Sequence, residues 1–133
     1  MARHQNRYLA WAAGFFEGEG CVSTKLNAPR ADGFQTMYLR LSVSQTEPVQ
    51  VKKLQEMFGG AVSFRESDRG HRDVWTWVVQ NDAALDAMEW MAPYFIGETK
   101  WDAYMAAIQR ISDHYKDEPL SKSSHNRSWM GVS

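Results

Sequence analysis

The chain has 133 residues and a formal net charge of −1, with 44% hydrophobic and 13% aromatic residues. This size and aromatic content predict one domain with a hydrophobic core and exclude a disordered chain. A single cysteine excludes an internal disulfide framework and indicates a reducing, intracellular compartment. No apolar stretch is long enough to span a membrane and the polar start shows no signal peptide, so we expect no membrane partner.

The charges are unevenly distributed along the chain. Residues 21–80 carry eight Lys and Arg against six Asp and Glu, whereas residues 81–118 carry three against eight. A nearly neutral chain with this division can present a basic face opposite an acidic one. Ordinary solvated charges remain the alternative interpretation, and the totals alone favour it.

The first predicted element is a helix within residues 8–21, YLAWAAGFFEGEGC. Its large apolar side chains recur at spacings of three and four, which is typical of a packed helix. Ala10, Ala13 and Gly14 are small enough to let another backbone come close. The helix ends in EGEG at residues 17–20, although the helix macrodipole disfavours acids at a C-terminus. A cationic ligand is the simplest explanation, and we expect the two glycines to permit a sharp turn or a close approach of the backbone to a ligand.

Two hairpins are predicted downstream of this helix. Residues 21–27 suit a strand, residues 28–33 are dense in turn formers, and residues 37–44 alternate like a half-buried strand. The second hairpin pairs residues 61–66 with residues 73–79. The polar side chains of these strands are expected to share one face of the sheet.

Three more helices are predicted from their start and stop signals. Thr46 is the expected N-cap of a helix between the two hairpins, which Gly59 and Gly60 stop. Asp82 is the expected cap of the next helix. Thr99, followed three residues later by an acid, resembles a capping box that opens the last one.

The order of these elements predicts the fold class. Two antiparallel hairpins that form one sheet, with the helices on a single face, give an α+β domain. We expect residues 1–116 to form this domain and residues 117–133 to form a polar tail. Cys21, in the first strand, is expected to be buried rather than nucleophilic.

Residues 12–20, AAGFFEGEG, resemble the LAGLIDADG motif of homing endonucleases position by position, with Glu for each Asp and Ala for the first Leu. The motif occurs once, so the chain resembles the single-motif members that act as homodimers. The resemblance covers about residues 7–115 and implies an αββαββα fold whose open sheet face is a DNA-binding saddle. It also implies metal-dependent hydrolysis of both strands of DNA at a long, roughly palindromic site, leaving short 3′ overhangs.

The resemblance also implies the catalytic residues. In this family the second acid of the motif binds a divalent metal at the scissile phosphate, which implies Glu19 and Gly18 as metal residues and Mg²⁺, or Mn²⁺ as a substitute, as the cofactor. Gln45 aligns with a residue that positions water or metal, and Lys100 with a lysine that stabilises the transition-state charge. A polar residue leading a helix and a surface lysine remain the respective alternatives. No small-molecule cofactor is expected.

Two surfaces complete the prediction. The dimer interface implied by the resemblance comprises Ala10, Ala13, Gly14 and Glu17, of which Glu17 is also expected to support the motif structurally. The DNA-binding surface consists of polar side chains on the open sheet face and in the hairpin loops, because such groups can contact base edges and phosphates. Its predicted members are Ser23, Lys25, Asn27, Arg30, Thr36, Tyr38, Arg40, Ser42, Ser63, Arg65, Arg69, Arg72 and Thr76. Each alone is more often an ordinary exposed residue, so the prediction depends on their clustering.

Three functions remain open on the sequence. A site-specific homodimeric endonuclease, acting inside a bacterial or phage host or an organelle, is favoured because Glu19, Gln45 and Lys100 are all present. A non-cleaving DNA- or RNA-binding protein, such as a maturase or a transcription regulator, would keep the same fold. A plain dimerisation module would need only the small-residue helix and would lack salt-dependent affinity for DNA.

Overall fold

The computed structural model describes residues 5–66 and 72–116, so the predicted tail at residues 117–133 lies outside the described residues. The elements are α1 (Asn6–Glu19), β1 (Gly20–Leu26), β2 (Met37–Gln45), α2 (Pro48–Phe58), β3 (Ala61–Arg65), β4 (Val74–Gln80), α3 (Asn81–Met91), a short 3₁₀ turn (Ala92–Tyr94) and α4 (Thr99–Lys116). This order confirms the predicted α+β plan. No helix within the two described ranges is long and apolar enough to cross a membrane.

The four strands form one antiparallel sheet in the order β1-β2-β4-β3. Directly opposed residues of antiparallel strands share a face, so the register fixes the composition of both faces. On β2, Leu39, Leu41 and Val43 are buried, while Tyr38, Arg40 and Ser42 between them are half-buried. The helices therefore cover one face, here called the core face. The opposite face is called the open face.

The core lies between the core face and the helices. It includes Leu39, Leu41 and Trp77 from the sheet, with Phe16 of α1 and Met88 of α3, all with no exposed surface. Burying a side chain of this size contributes about 1.5–3 kcal/mol each, which is the main force that holds the helices on the sheet.

The connection from α2 to β3 explains both of its glycines. Gly59 has φ +80° and Gly60 has φ +89°, a conformation that favours glycine. A Cβ on Gly60 would also lie 2.4 Å from the carbonyl oxygen of Val78. The indole N–H of Trp77 donates to the Gly59 carbonyl at 2.8 Å, so the predicted helix stop is also a packing point.

Three predicted helix starts are wrong, by one residue at α2 and α4 and by two residues at α3. Glu47, not Thr46, occupies the N-cap position of α2, because Pro48 with its fixed φ is the first helical residue. Asp82 lies in the first turn of α3, which begins at Asn81. Thr99 is the first residue of α4, whereas it was predicted to be the N-cap that precedes the helix. The fixed φ of Pro48 and the left-handed conformation of Asn81 account for the first two differences.

Candidate functional site

The predicted catalytic residues Glu19 and Gln45 meet at one edge of the sheet. Glu19 ends α1 and Gln45 ends β2, and the pairing of β1 with β2 brings these two ends together. The side-chain amide of Gln45 donates to Oε1 of Glu19 at 3.1 Å and to the carbonyl of Ser44 at 2.8 Å. Glu19 is exposed. A carboxylate whose orientation is held by an amide, yet open to solvent, can receive a cation.

Gly18 and Gly20, which flank Glu19, have different roles. A Cβ on Gly20 would lie 2.3 Å from the Phe16 ring, so glycine is required there for close packing. Gly20 has the ordinary extended values φ −83° and ψ 163°, so the passage from α1 into β1 uses no backbone conformation reserved for glycine. Gly18 is helical and exposed, and a Cβ there would meet nothing within 4 Å. Its carbonyl belongs to the last turn of α1, where carbonyl oxygens lack helical partners.

Glu17 binds the backbone of a distant segment. Its Oε1 accepts from the N–H of Ile96 at 3.0 Å, and its Oε2 accepts from the N–H of Gly97 at 2.8 Å. These two charge-assisted bonds fasten the connection before α4 to the end of α1. Lys100 follows three residues later, half-buried in the first turn of α4. Through these bonds, Glu17 holds the segment that leads into α4 against the C-terminal end of α1. This is the end of α1 that also carries Glu19, and Lys100 lies in the first turn of α4.

The lysines and arginines of the described segments divide into two groups. Those on the helices, with the exception of Lys100, have partners within the chain, and so does Arg30 in the first hairpin loop. They are Arg7 and Lys53 on Tyr8, Lys52 on Trp75, Arg110 on Thr24, Lys116 on Asp113 and Arg30 on Asp32. The second group, Lys25, Arg40, Arg65, Arg72 and Lys100, makes no hydrogen bond, ion pair or ring contact with any described residue. Four of these five belong to the open face or to the residues that lead into it.

The register arranges the open face in rows that run across the strands. The rows are Ser44–Thr76–Ser63, then Cys21–Ser42–Val78–Ala61, then Ser23–Arg40–Gln80, then Lys25–Tyr38. Arg65 opposite Val74 lies beyond the first row. None of these strand residues is acidic. Ser44 of the first row directly precedes Gln45 in β2, so the first row lies next to the Glu19–Gln45 pair. The other rows lie progressively further from this pair. The predicted DNA-contact residues of the strands all lie on this face.

Three residues of this face, Ser44, Val78 and Gln80, were not among the predicted DNA contacts. Ser44 and Gln80 are exposed, and Val78 is half-buried. The Ser44 and Thr76 hydroxyls are hydrogen-bonded at 2.9 Å. Strand alternation identifies Ser44 as open-face, whereas Gln80 was missed because the predicted strand ended one residue before it. Cys21 was predicted to be buried, but it lies on this face opposite Ser42 and is exposed.

Ser23 and the predicted loop residues are less available for contact with DNA than the sequence predicted. The hydroxyl oxygen of Ser23 is enclosed and has no hydrogen-bond partner. Asn27 and Thr36 bond to each other through their side chains at 2.7 Å. Arg30 pairs with Asp32 at 3.4 Å and lies over the Phe34 ring. Arg72 is exposed, and Arg69 lies outside the described residues.

The hairpin between β1 and β2 is fastened to the end of α4. The Tyr115 hydroxyl accepts from the N–H of Met37 and donates to its carbonyl, each at 3.2 Å. The Phe34 ring packs on His114 and Tyr115, and His114 Nε2 bonds the carbonyl of Gln35 at 2.5 Å. The loop is therefore positioned by α4 as well as by its own strands.

The predicted dimer residues on α1 do not share one surface. Ala10, Gly14 and Gly18 are exposed at spacings of four and form a stripe, here called the small-residue stripe. Ala13 is 0% exposed, so its place in the interface was wrong: it faces inward, one residue from the stripe, and packs in the core. A Cβ on Gly14 would meet nothing within 4 Å. Nothing in the described chain therefore requires glycine at positions 14 and 18.

The described residues at this site would supply only some of the ligands that a divalent metal needs. The described residues contain no group of three or more His, Cys, Asp or Glu side chains that could hold an ion. Glu19 and the Gly18 carbonyl are hard oxygen donors of the kind that Mg²⁺ takes, and Mg²⁺ usually completes its shell with water and substrate phosphates. The donor chemistry therefore fits Mg²⁺ with a bound phosphodiester better than an all-protein site.

Known structures share this architecture. The archaeal intron-encoded homing endonuclease I-Vdi141I, complexed with DNA, aligns over 96% of this chain and 97% of that chain, with a TM-score of 0.58 and 13% identity. The LAGLIDADG homing endonuclease I-LtrWI, bound to target DNA, aligns over 96% of this chain and 46% of that one, with a TM-score of 0.57 and 22% identity. This chain thus spans about half the length of I-LtrWI.

A third neighbour is the homing endonuclease I-CvuI, in complex with the I-CreI target and 2 mM Mg. It aligns over 82% of this chain and 69% of that chain, with a TM-score of 0.56 and 22% identity. No protein-family model and no curated protein sequence matches the chain. The chain therefore has the LAGLIDADG homing-endonuclease fold, which the motif at residues 12–20 predicted.

Proposed function

We propose that this chain is a homodimeric DNA endonuclease that uses a divalent metal to hydrolyse both strands of a long, roughly palindromic site. The observation that carries the proposal is the position of the Glu19–Gln45 pair, 3.1 Å apart, beside an open face with no acid among its strand residues. The structural neighbours are homing endonucleases with bound DNA, which supports the same activity.

The open face supports binding to duplex DNA. Lys25, Arg40, Arg65 and Arg72 have no partner among the described residues, whereas the helix cations other than Lys100 do, so phosphates and base edges would meet uncommitted charges. A two-stranded ribbon fits the major groove, and Arg reads guanine bidentately. The net charge of −1 does not oppose this, because binding depends on the local potential of the contacting face.

The proposed catalytic centre combines four residues from three elements. Glu19 and the Gly18 carbonyl would hold Mg²⁺, or Mn²⁺ as a substitute, and the bound cation would supply positive charge at the scissile phosphate. Gln45 keeps the Glu19 carboxylate in one orientation through its amide. Lys100, free of any ion pair in the described chain, would stabilise the negative charge that develops on the phosphate.

The small-residue stripe supports a homodimer. Glycine in a helix costs roughly 1 kcal/mol relative to alanine, and the chain has two at exposed positions with no intrachain reason for either. Close approach of a second backbone is the physical use of such positions. Two copies that cross along this stripe would bring both Glu19 residues near the two-fold axis, so that both strands of one duplex are cut.

The test is a cleavage assay on a randomised duplex library with Mg²⁺. We expect the wild type to nick a subset of sequences, and Glu19→Gln to abolish cleavage while leaving binding close to wild-type. Glu47→Gln, a matched change at an exposed acid, should cleave normally. Normal cleavage by Glu19→Gln would refute the metal assignment. A wild type that enriches sequences without cutting them would instead be the non-cleaving DNA-binding or RNA-binding protein.

DNA binding has its own matched test. Arg65→Ala should weaken binding to all sequences and reduce the salt slope by about 1, because one phosphate contact is lost. Arg110→Ala removes an arginine from the helix side and should leave the slope unchanged. No salt-dependent affinity in the wild type would identify a plain dimerisation module.

A further inference from the structure

Gln80 is directly opposite Arg40 on the open face. Their Cα atoms are register partners where β2 pairs with β4, and Gln80 is exposed. β4 passes into α3 without a loop, because Asn81 takes the left-handed conformation at φ +56° that Asn tolerates. The position of Gln80 is therefore set by strand pairing on one side and by a helix start on the other.

The side chains of both residues are uncommitted. Neither Arg40 nor Gln80 makes a hydrogen bond or an ion pair through its side chain with any residue in the described ranges. By contrast, the amides of Gln35, Gln55 and Gln109 each donate to an oxygen of the chain. Gln80 thus presents a complete amide to whatever occupies the open face.

The neighbouring rows of the open face carry no comparable pair of side chains. The adjacent row, Cys21–Ser42–Val78–Ala61, has only short side chains, and the row beyond Arg40 consists of Lys25 and Tyr38. Arg and Gln carry two polar atoms in a planar fork that matches the edge of a base, whereas Lys25 carries a single ammonium nitrogen and the other residues a single polar atom or none. Arg40 and Gln80 are therefore the only adjacent pair of planar, fork-shaped groups among the described strand residues of this face.

We infer that Gln80 is a specificity-determining residue that reads adenine at the base pair next to a guanine read by Arg40. Gln pairs bidentately with N6 and N7 of adenine, and Arg with O6 and N7 of guanine. Neighbouring strands are about 4.8 Å apart and stacked bases about 3.4 Å, so opposed residues reach adjacent base pairs. This inference rests on the proposed function and names the sequence that the site would accept.

The experiment is selection of bound duplexes from a randomised library by the wild type, Gln80→Ala and Gln80→Arg. The wild type should select adenine beside guanine once per half-site. Gln80→Ala should lose the adenine preference at that position alone, by about 5- to 150-fold, and Gln80→Arg should change it to guanine. Gln109→Ala, on α4, is the matched control and should select the wild-type sequence.

An atomic probe gives a second readout. Replacing the selected adenine by 7-deazaadenine removes N7, so it should weaken binding by the wild type and not by Gln80→Ala. An unchanged base profile in both Gln80 variants, with binding retained, would overturn the inference and leave the proposed function standing. An equal loss of affinity at every sequence would also overturn it, since that is the signature of a phosphate contact. Absence of duplex binding by the wild type would overturn both proposals.

Discussion

Gln45 donates its side-chain amide to Oε1 of Glu19 across 3.1 Å, joining the end of β2 to the end of α1. The two residues are 26 positions apart in the sequence, and only strand pairing brings them together. The amide leaves the carboxylate exposed while limiting its rotation. This bond links the motif helix to the sheet whose other face would bind DNA.

Gln45→Ala should reduce cleavage by about 10- to 100-fold, because the residue that orients the proposed metal-binding carboxylate is lost. The Mg²⁺ concentration needed for half-maximal single-turnover cleavage should also rise, while DNA affinity stays close to wild-type. Gln55→Ala removes a comparable amide-to-oxygen bond at the far end of α2 and should change neither quantity. A wild-type Mg²⁺ dependence in Gln45→Ala would contradict the positioning role.

Gly14→Leu should convert the proposed dimer into a folded monomer. The side chain would extend into open space in the single chain, where a Cβ meets nothing within 4 Å, so folding itself is not obstructed. In the dimer the same side chain would block the crossing of two helices. Sedimentation velocity should report the monomer, and Gln109→Leu, which is exposed on α4, should remain dimeric. A dimeric Gly14→Leu would exclude the small-residue stripe as the interface.

Glu17→Ala should lower the free energy of unfolding by about 1–3 kcal/mol, since two bonds from backbone N–H groups to a charged acceptor are lost. Denaturant unfolding measures the change, and faster hydrogen exchange at Ile96 and Gly97 would localise it. Glu98→Ala, an exposed acid in the same connection, should stay within about 0.5 kcal/mol of the wild type. Cleavage by Glu17→Ala should fall too, because this connection positions Lys100.

Alkaline pH should destabilise the chain through Tyr104. Burial, with smaller contributions from Glu89 and Asp86, raises the pKa of the Tyr104 hydroxyl from 10.0 to about 12. The unfolded chain therefore loses this proton at lower pH than the folded chain does. The stabilisation is complete below pH 10 and is lost as the pH rises to 12, by about 1.4 kcal/mol per pH unit. Denaturant unfolding between pH 9 and pH 12 should show this decline in the wild type and not in Tyr104→Phe.

The motif helix and the alternation of β2 were predictable because each is a local pattern. Apolar residues at spacings of three and four specify α1, and alternate apolar residues from Met37 to Val43 specify which side of β2 is buried. Glycine signals also ended α2 correctly. The starts of α2 and α3 were predicted wrongly from their capping residues Thr46 and Asp82. The backbone conformations of Pro48 and Asn81 decide where these two helices begin.

The sequence alone therefore determined the order of the elements, the α+β class and the resemblance of residues 12–20 to the LAGLIDADG motif. Through that resemblance it also indicated Glu19 as the candidate metal-binding acid. The tertiary structure decided which residues meet, since register across strands depends on the whole sheet rather than on neighbours in sequence. It paired Arg40 with Gln80, exposed Cys21, buried Ala13 and gave Glu17 two backbone partners some 80 residues away. Local periodicity specifies how a side chain alternates, whereas contact between distant segments is fixed only when the core packs.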